Sequence, residues 1–245
     1  QAREALIGRA AADKERPGSL PCPDFDDDGE ATNGSCSVTV GRLPWKTLDL
    51  PDLRDGEGNR LWYALASELR DNGLVQINPT STLNLSLDGT ANIAAIVFSA
   101  GPPLAGQNER PSNDLDDYLD GANQDGNTAY VSGPTSPTFN DKTISISHDQ
   151  LFSIVNRRIL GQLNVGLEKY YNAPANTNLY PEDGADLKTK LDPHLDIGIK
   201  TMLDANGWYA ITSYTPAPNR KSASLAITVP PAITPAITCT IAPEQ

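Results

Sequence analysis

Apolar residues along this chain gather into a few short periodic blocks, separated by long polar stretches with no period. The most regular block is Leu151, Val155, Ile159, Leu163, Leu167 and Tyr170, which recur at steps of three or four. That period predicts a helix over residues 147–172 with one apolar face. Ser147 and Gln150 stand at capping-box spacing at its start, and Asn172 and Pro174 end it. A stripe this continuous needs a dry partner, and an antiparallel sheet is the expected one. A second helix is expected from Asp192 as cap and Pro193 in the first position, through Leu195, Ile199 and Leu203, to a stop at Gly207. Residues 1–12 are alanine-rich and helix-prone, with Ala2, Leu6 and Ala10 on one stripe.

Strands are expected over 60–67 (RLWYALAS), 83–87, 93–98 (IAAIVF), 208–214 and 222–229. The run 93–98 is apolar throughout, which suits a central strand. Turns are read at Asp71-Asn72-Gly73 and at Asp88-Gly89, while 17–51 and 101–140 show little or no period. A polar loop as long as 101–140 is either a surface excursion or a functional element. Helices and antiparallel strands in separate blocks predict an α+β fold. The expected division is a helix and sheet over 1–145, a further helix and strand unit packed on it over 146–229, and an extended proline-rich tail over 230–245. Residues 62–67 (WYALAS) are echoed at 208–213 (WYAITS), either by chance between two amphipathic strands or through an internal duplication that makes a second unit of the same kind.

Composition narrows the functional classes. The 245 residues carry 19 Lys+Arg against 31 Asp+Glu, a formal charge of −12. That balance argues against nucleic acid or an anionic membrane surface as a partner. Two histidines and three cysteines leave few ligands for zinc or a transition metal. No apolar run approaches the roughly 20 residues that span a bilayer. Twenty prolines and 19 glycines point to many turns rather than a helical bundle.

Cys22 and Cys36 bracket an acidic loop and have no metal partner nearby in sequence, so they are expected to form a disulfide in an oxidising compartment. Closing such a loop contributes about 3 kcal/mol in the chain-entropy model. Cys239 is left unpaired with either. Within the loop, Asp24, Asp26 and Asp28 followed by Gly29 match the opening of an EF-hand calcium loop and are the candidate metal ligands. The match ends at the twelfth position, where Ser35 replaces the bidentate Glu, so calcium is expected to bind loosely at best and a solvated acidic turn is the alternative. No other cofactor is expected. Catalytic motifs are missing too: His148 and Asp149 read as the first turn of a helix, His194 as a surface residue, and no nucleophile elbow or phosphate loop is present.

Three stretches together resemble the type IV pilin-like proteins, the minor pilins and the pseudopilins of type II secretion. They are Glu4-Ala5-Leu6-Ile7-Gly8 leading to Leu20-Pro21-Cys22-Pro23-Asp24, then Gly41-Arg42-Leu43-Pro44-Trp45 with Leu48-Asp49-Leu50-Pro51, then residues 55–63 (DGEGNRLWY). The last is similar to the family's D-x-W-G-N-x-x-x-Y turn, with Glu57 where Trp usually stands. The resemblance implies a pilin-like head, a structural and non-catalytic role in a pilus or pseudopilus, and partners among other pilin subunits and their assembly machinery. It also implies an apolar helix ahead of Gln1, inner-membrane anchoring through that helix alone before assembly, and a head in the periplasm or at the cell surface. A different class, a periplasmic calcium-dependent module binding glycan or protein, is the competing expectation.

Overall fold

The computed structural model describes residues 1–32, 36, 38–71, 75–108 and 110–228, together with the backbone of 237–241. The architecture is mixed, with helices and antiparallel-rich sheets, in keeping with the α+β expectation. The chain divides into two units that are not contiguous in sequence. One contains 1–12, 18–75 and 81–151; the other contains 13–17, 76–80 and 152–245. The boundary expected at 145/146 therefore falls a few residues later, inside a helix, and two short upstream segments belong to the second unit.

The first unit opens with α1 (Ala2–Ala12), whose Ala2, Leu6 and Ala10 are buried as the pattern predicted. Its sheet comprises β1 (Val40–Arg42), β2 (Trp62–Leu65), β3 (Leu85–Leu87), β4 (Thr90–Ser99), β5 (Ala129–Tyr130) and β6 (Lys142–Ser147). The order is β1-β2-β4-β3-β5, with β6 also paired to β4, and α1 lies beside β6. All pairs are antiparallel except β3 with β5. β4 is the apolar run expected at the centre, and Ile93 to Phe98 are all buried along it. Its hairpin with β3 turns on Asp88 and Gly89, both at positive φ (51° and 75°), the backbone twist that a two-residue hairpin favours.

Pattern reading missed β1, β5 and β6. β1 and β5 are three and two residues long, too short for a period to register. β6 alternates visibly, but its outward Ile144 is half exposed and its last residue doubles as a helix cap. The turn expected at 71–73 lies outside the described residues beyond Asp71.

The helix α2 (His148–Asn172) matches its expected bounds. Ser147 Oγ accepts from Gln150 N and Gln150 Oε1 accepts from Ser147 N, at 3.2 and 3.0 Å, the reciprocal pair of a capping box. Leu151, Val155, Ile159, Leu163 and Leu167 are all fully buried. The stripe ends on Tyr171 rather than Tyr170, because Tyr170 is half-buried with its ring edge against His194 at 5.5 Å. His194 is thus partly covered instead of lying free on the surface.

In the second unit, the single helix expected from Asp192 is several pieces: α3 (Leu187–Leu191), a 3-10 turn Asp192–His194, and α4 (Ile197–Ala205). Leu195 is extended (φ −105°, ψ 149°) and breaks the run, so Asp196 and not Asp192 precedes α4. Its side chain is wanted elsewhere, since Leu195 Cδ2 would lie 2.8 Å from a Cβ placed on Gly166 of α2. A Cβ at 166 would force Leu195 to shift, so glycine leaves room for that side chain against α2. Residues 208–211 form a 3-10 helix, Trp208–Ile211, and the strand is β7 (Thr212–Pro216). Because 62–65 is a strand and 208–211 is not, the WYA echo is not a repeated structural element. β7 pairs with β8 (Ala223–Ile227), which ends before Val229, a residue outside the described set. β8 in turn pairs with β9 (Ile237–Ile241), so part of the expected extended tail is a sheet strand; 229–236 and 242–245 lie outside the described residues.

Asn206 explains why distant segments join this unit. Its Nδ2 donates to Glu15 O and Met202 O, its Oδ1 accepts from Ile77 N, and its backbone O accepts from Asn78 Nδ2. A 3%-exposed amide with both its donor hydrogens and its oxygen engaged ties three stretches of chain together.

Replacing Leu163 by Ala removes a fully buried side chain from the α2 stripe. Denaturant unfolding is expected to show a loss of about 2–5 kcal/mol; a loss below about 1 kcal/mol would place the core elsewhere.

Candidate functional site

The chemistry-bearing residues of the first unit gather where the segment after α1 meets β1. Asp24 and Arg42 exchange both backbone hydrogen bonds, at 3.0 and 2.8 Å, forming an antiparallel bridge. Gly41 makes this approach feasible, for a Cβ there would stand 2.7 Å from Asp24 O. Cys22 and Cys36 are joined in a disulfide, as expected, so neither is available to Cys239. Between them the loop turns through Asp27 (φ 63°) and Gly29 (φ 89°). Gly29 lies against the indole of Trp45, which a Cβ would meet at 2.6 Å.

Arginines flank this loop. Arg42 is 5% exposed and lies over both Trp62 and Tyr118, 4.0 Å from each ring centroid. It donates to Ser112 O at 3.0 Å and stands 3.9 Å from Asp27. Two aromatic faces give a largely desolvated guanidinium the compensation that water would otherwise supply. Arg60 pairs with Asp27 at 2.8 Å and Asp52 at 3.1 Å, and Arg54 completes the chain to Asp52 at 2.6 Å.

The three predicted metal-binding aspartates do come together. One carboxylate oxygen from each of Asp24, Asp26 and Asp28 lies within 4.8 Å of the others. Asp24 is 1% exposed, while Asp26 and Asp28 face solvent. Asp24 Oδ2 accepts from Gly29 N at 2.7 Å, and Asp24 Oδ1 has no hydrogen-bond partner. Burial pushes the Asp24 carboxyl above its usual range; the Gly29 and Asp27 amides oppose this, and the charges of Asp28 and Asp27 add to it. Ser35, the twelfth position, lies outside the described residues.

A second acidic group, Asp114, Asp116 and Asp117, has similar spacing but different chemistry. Its buried member is satisfied, since Asp117 Oδ1 accepts from Asn108 N at 3.0 Å and Oδ2 from Ser112 Oγ at 2.6 Å.

The long 101–140 loop is organised by buried polar groups that no periodicity could announce. Arg110 donates to Gly101 O, Asp117 O and Gln107 Oε1. Asp141 Oδ2 accepts from Asp120 N and Asn123 Nδ2, and Asp120 Oδ2 accepts from Asn140 N. Burial pushes the Asp141 carboxyl up to about 6; the Asn123 and Asp120 donors oppose this, and the Asp120 charge adds to it. Density of Asp and Asn was the visible signal, but the same composition also describes a solvated loop.

His148 and Asp149 sit in the first turn of α2, their side chains 3.0 Å apart. Comparison with protein-family models, with curated proteins and with solved structures found no match.

Non-reducing peptide mapping is expected to recover the Cys22–Cys36 peptide; any Cys22–Cys239 or Cys36–Cys239 peptide would contradict the pairing. A second expectation concerns pH. Asp141 titrates near 6 when folded, against an ordinary value of 3.8, so the folded chain holds a proton there that the unfolded chain has lost. Its favourable contribution is complete below about pH 4 and disappears as pH rises through about 6. Unfolding free energies should therefore show the native protein losing stability relative to Asp141→Asn across that window. Parallel profiles for the two proteins would refute the assignment.

Proposed function

We propose that this chain is the head of a type IV pilin-like subunit, a minor pilin or pseudopilin, with a structural role and no catalysis of its own. The observation that carries this reading is the Asp24–Arg42 bridge. Through it the three stretches that resemble the family become one continuous construction. The Leu20–Asp24 segment that follows α1 is stitched to β1, which belongs to Gly41-Arg42-Leu43-Pro44-Trp45, and β1 pairs with β2.

The third stretch leads into β2 through a turn built on Asp55. Its Oδ1 accepts from Glu57 N and Asn59 N, and its Oδ2 from Gly101 N, at 3.0, 2.8 and 3.1 Å. Gly58 takes a positive φ of 82°. The turn is thus held by a carboxylate acting on backbone amides, which accounts for its tolerance of an exposed Glu57 in place of the family's Trp. In this role the head is presented to the periplasm or cell surface. Its partners are other pilin-like subunits and the machinery that assembles them.

Deleting the gene is expected to impair at least one of piliation, twitching, DNA uptake or type II secretion. Complementation with His148→Ala/Asp149→Ala should restore whatever was lost. Unchanged performance in all four assays, or a measured turnover that depends on either residue, would overturn the proposal.

A further inference from the structure

The acidic loop carries an inference independent of the filament reading. We propose that residues 24–28 form a calcium site in which Asp24, Asp26 and Asp28 supply the protein ligands. The donor set is oxygen only, drawn from three carboxylates within 4.8 Å of one another, which selects a hard divalent cation over zinc or copper.

Proximity of acids is common on protein surfaces, so the decisive feature is Asp24. This residue is 1% exposed, and one of its two oxygens, Oδ1, has no hydrogen-bond partner. The other oxygen is committed to Gly29 N, and the backbone is clamped to β1 on both its N–H and C=O. A buried carboxylate oxygen without a donor costs free energy unless something positive meets it. Protein cations do not fill that role. Arg42 lies over Trp62 and Tyr118, Arg60 pairs with Asp27 and Asp52, and Lys46 Nζ bonds the backbone oxygen of Asp28. Among the described residues, none forms an ion pair with Asp24, Asp26 or Asp28. The comparison with Asp117 sharpens the point, because both oxygens of that equally buried aspartate have donors.

Calcium fits better than magnesium. One ligand is fixed by the fold and two are exposed, so they can adjust around an ion that tolerates irregular coordination of six to eight oxygens. Magnesium requires a near-ideal octahedron and sheds water reluctantly. Three protein carboxylates leave the remaining positions to water, which places the affinity at about 10⁻⁴–10⁻³ M, the range of extracellular calcium modules. Bound calcium would link Asp26 and Asp28 to the clamped Asp24, fixing a loop that the Cys22–Cys36 bridge already closes.

Trp45 supplies the probe, since its indole packs on Gly29 of the same loop. Terbium, a luminescent calcium substitute, should give saturable emission on tryptophan excitation. Calcium should displace it at about millimolar concentration, and magnesium should not do so at the same concentration. Asp26→Asn/Asp28→Asn alters exposed side chains only, and should weaken terbium binding by about tenfold or more as ligand charge is lost. Calcium should also raise the unfolding temperature of the native protein and leave that of the double variant unmoved. Emission unaffected by the double substitution would overturn the site. Failure of calcium to compete at about 10 mM, or equal competition by magnesium, would overturn the calcium assignment.

Discussion

The first unit depends on burying one strand. β4 runs for ten residues, and its apolar stretch leaves no polar face for water. Every amide and carbonyl along it must therefore find a partner within the protein. β2 and β6 pair with the same residues, Ala95 to Phe98, and so occupy opposite edges. From that requirement follow the position of β1 beyond β2 and of α1 beside β6. Ring contacts such as Phe98 with Tyr130, 5.1 Å apart, extend the same dry interior toward β5.

Around that core the chain buries several charged and amide side chains, and it handles each differently. Arg42 lies over two aromatic faces. Asp117 and Asp120 are satisfied by hydroxyl, amide and backbone donors. Asp141 accepts two donors on one oxygen and responds to burial by holding its proton more tightly. Asp24 accepts Gly29 on one oxygen and leaves the other bare. A low-dielectric interior rewards complete satisfaction and penalises the incomplete kind. Asp141 Oδ1 is bare as well; what sets Asp24 apart is that its carboxylate lies within 4.8 Å of the solvated Asp26 and Asp28.

The proposed filament head and the proposed calcium site make compatible physical demands. A structural subunit works by presenting a fixed surface, and the segment 22–29 is held from several directions. The disulfide anchors its start, the bridge to β1 holds its base, and Trp45 packs against its turn. His148 and Asp149 serve as the opening turn of α2, where an acidic side chain complements the helix dipole.

Local signals in the sequence determined the elements that need only near neighbours. The α2 period and capping box, the α1 stripe, the apolar run of β4, the Asp88-Gly89 turn and the Cys22–Cys36 pairing were all legible, because each is set by spacing within about 25 residues or fewer. The tertiary structure alone decided the rest. β1 exists because β2 offers it an edge, and β9 because β8 does. Trp208 to Ile211 coil as a 3-10 turn although the same pattern at Trp62 makes a strand, so packing overrode an ambiguous period. Leu195 left its helix to fill the space beside Gly166. The three aspartates of the loop could be read as a cluster from their spacing. That Asp24 would be buried with one oxygen unmet could not, since burial depends on Arg42 and Gly41, residues that reach it only once the chain has folded back.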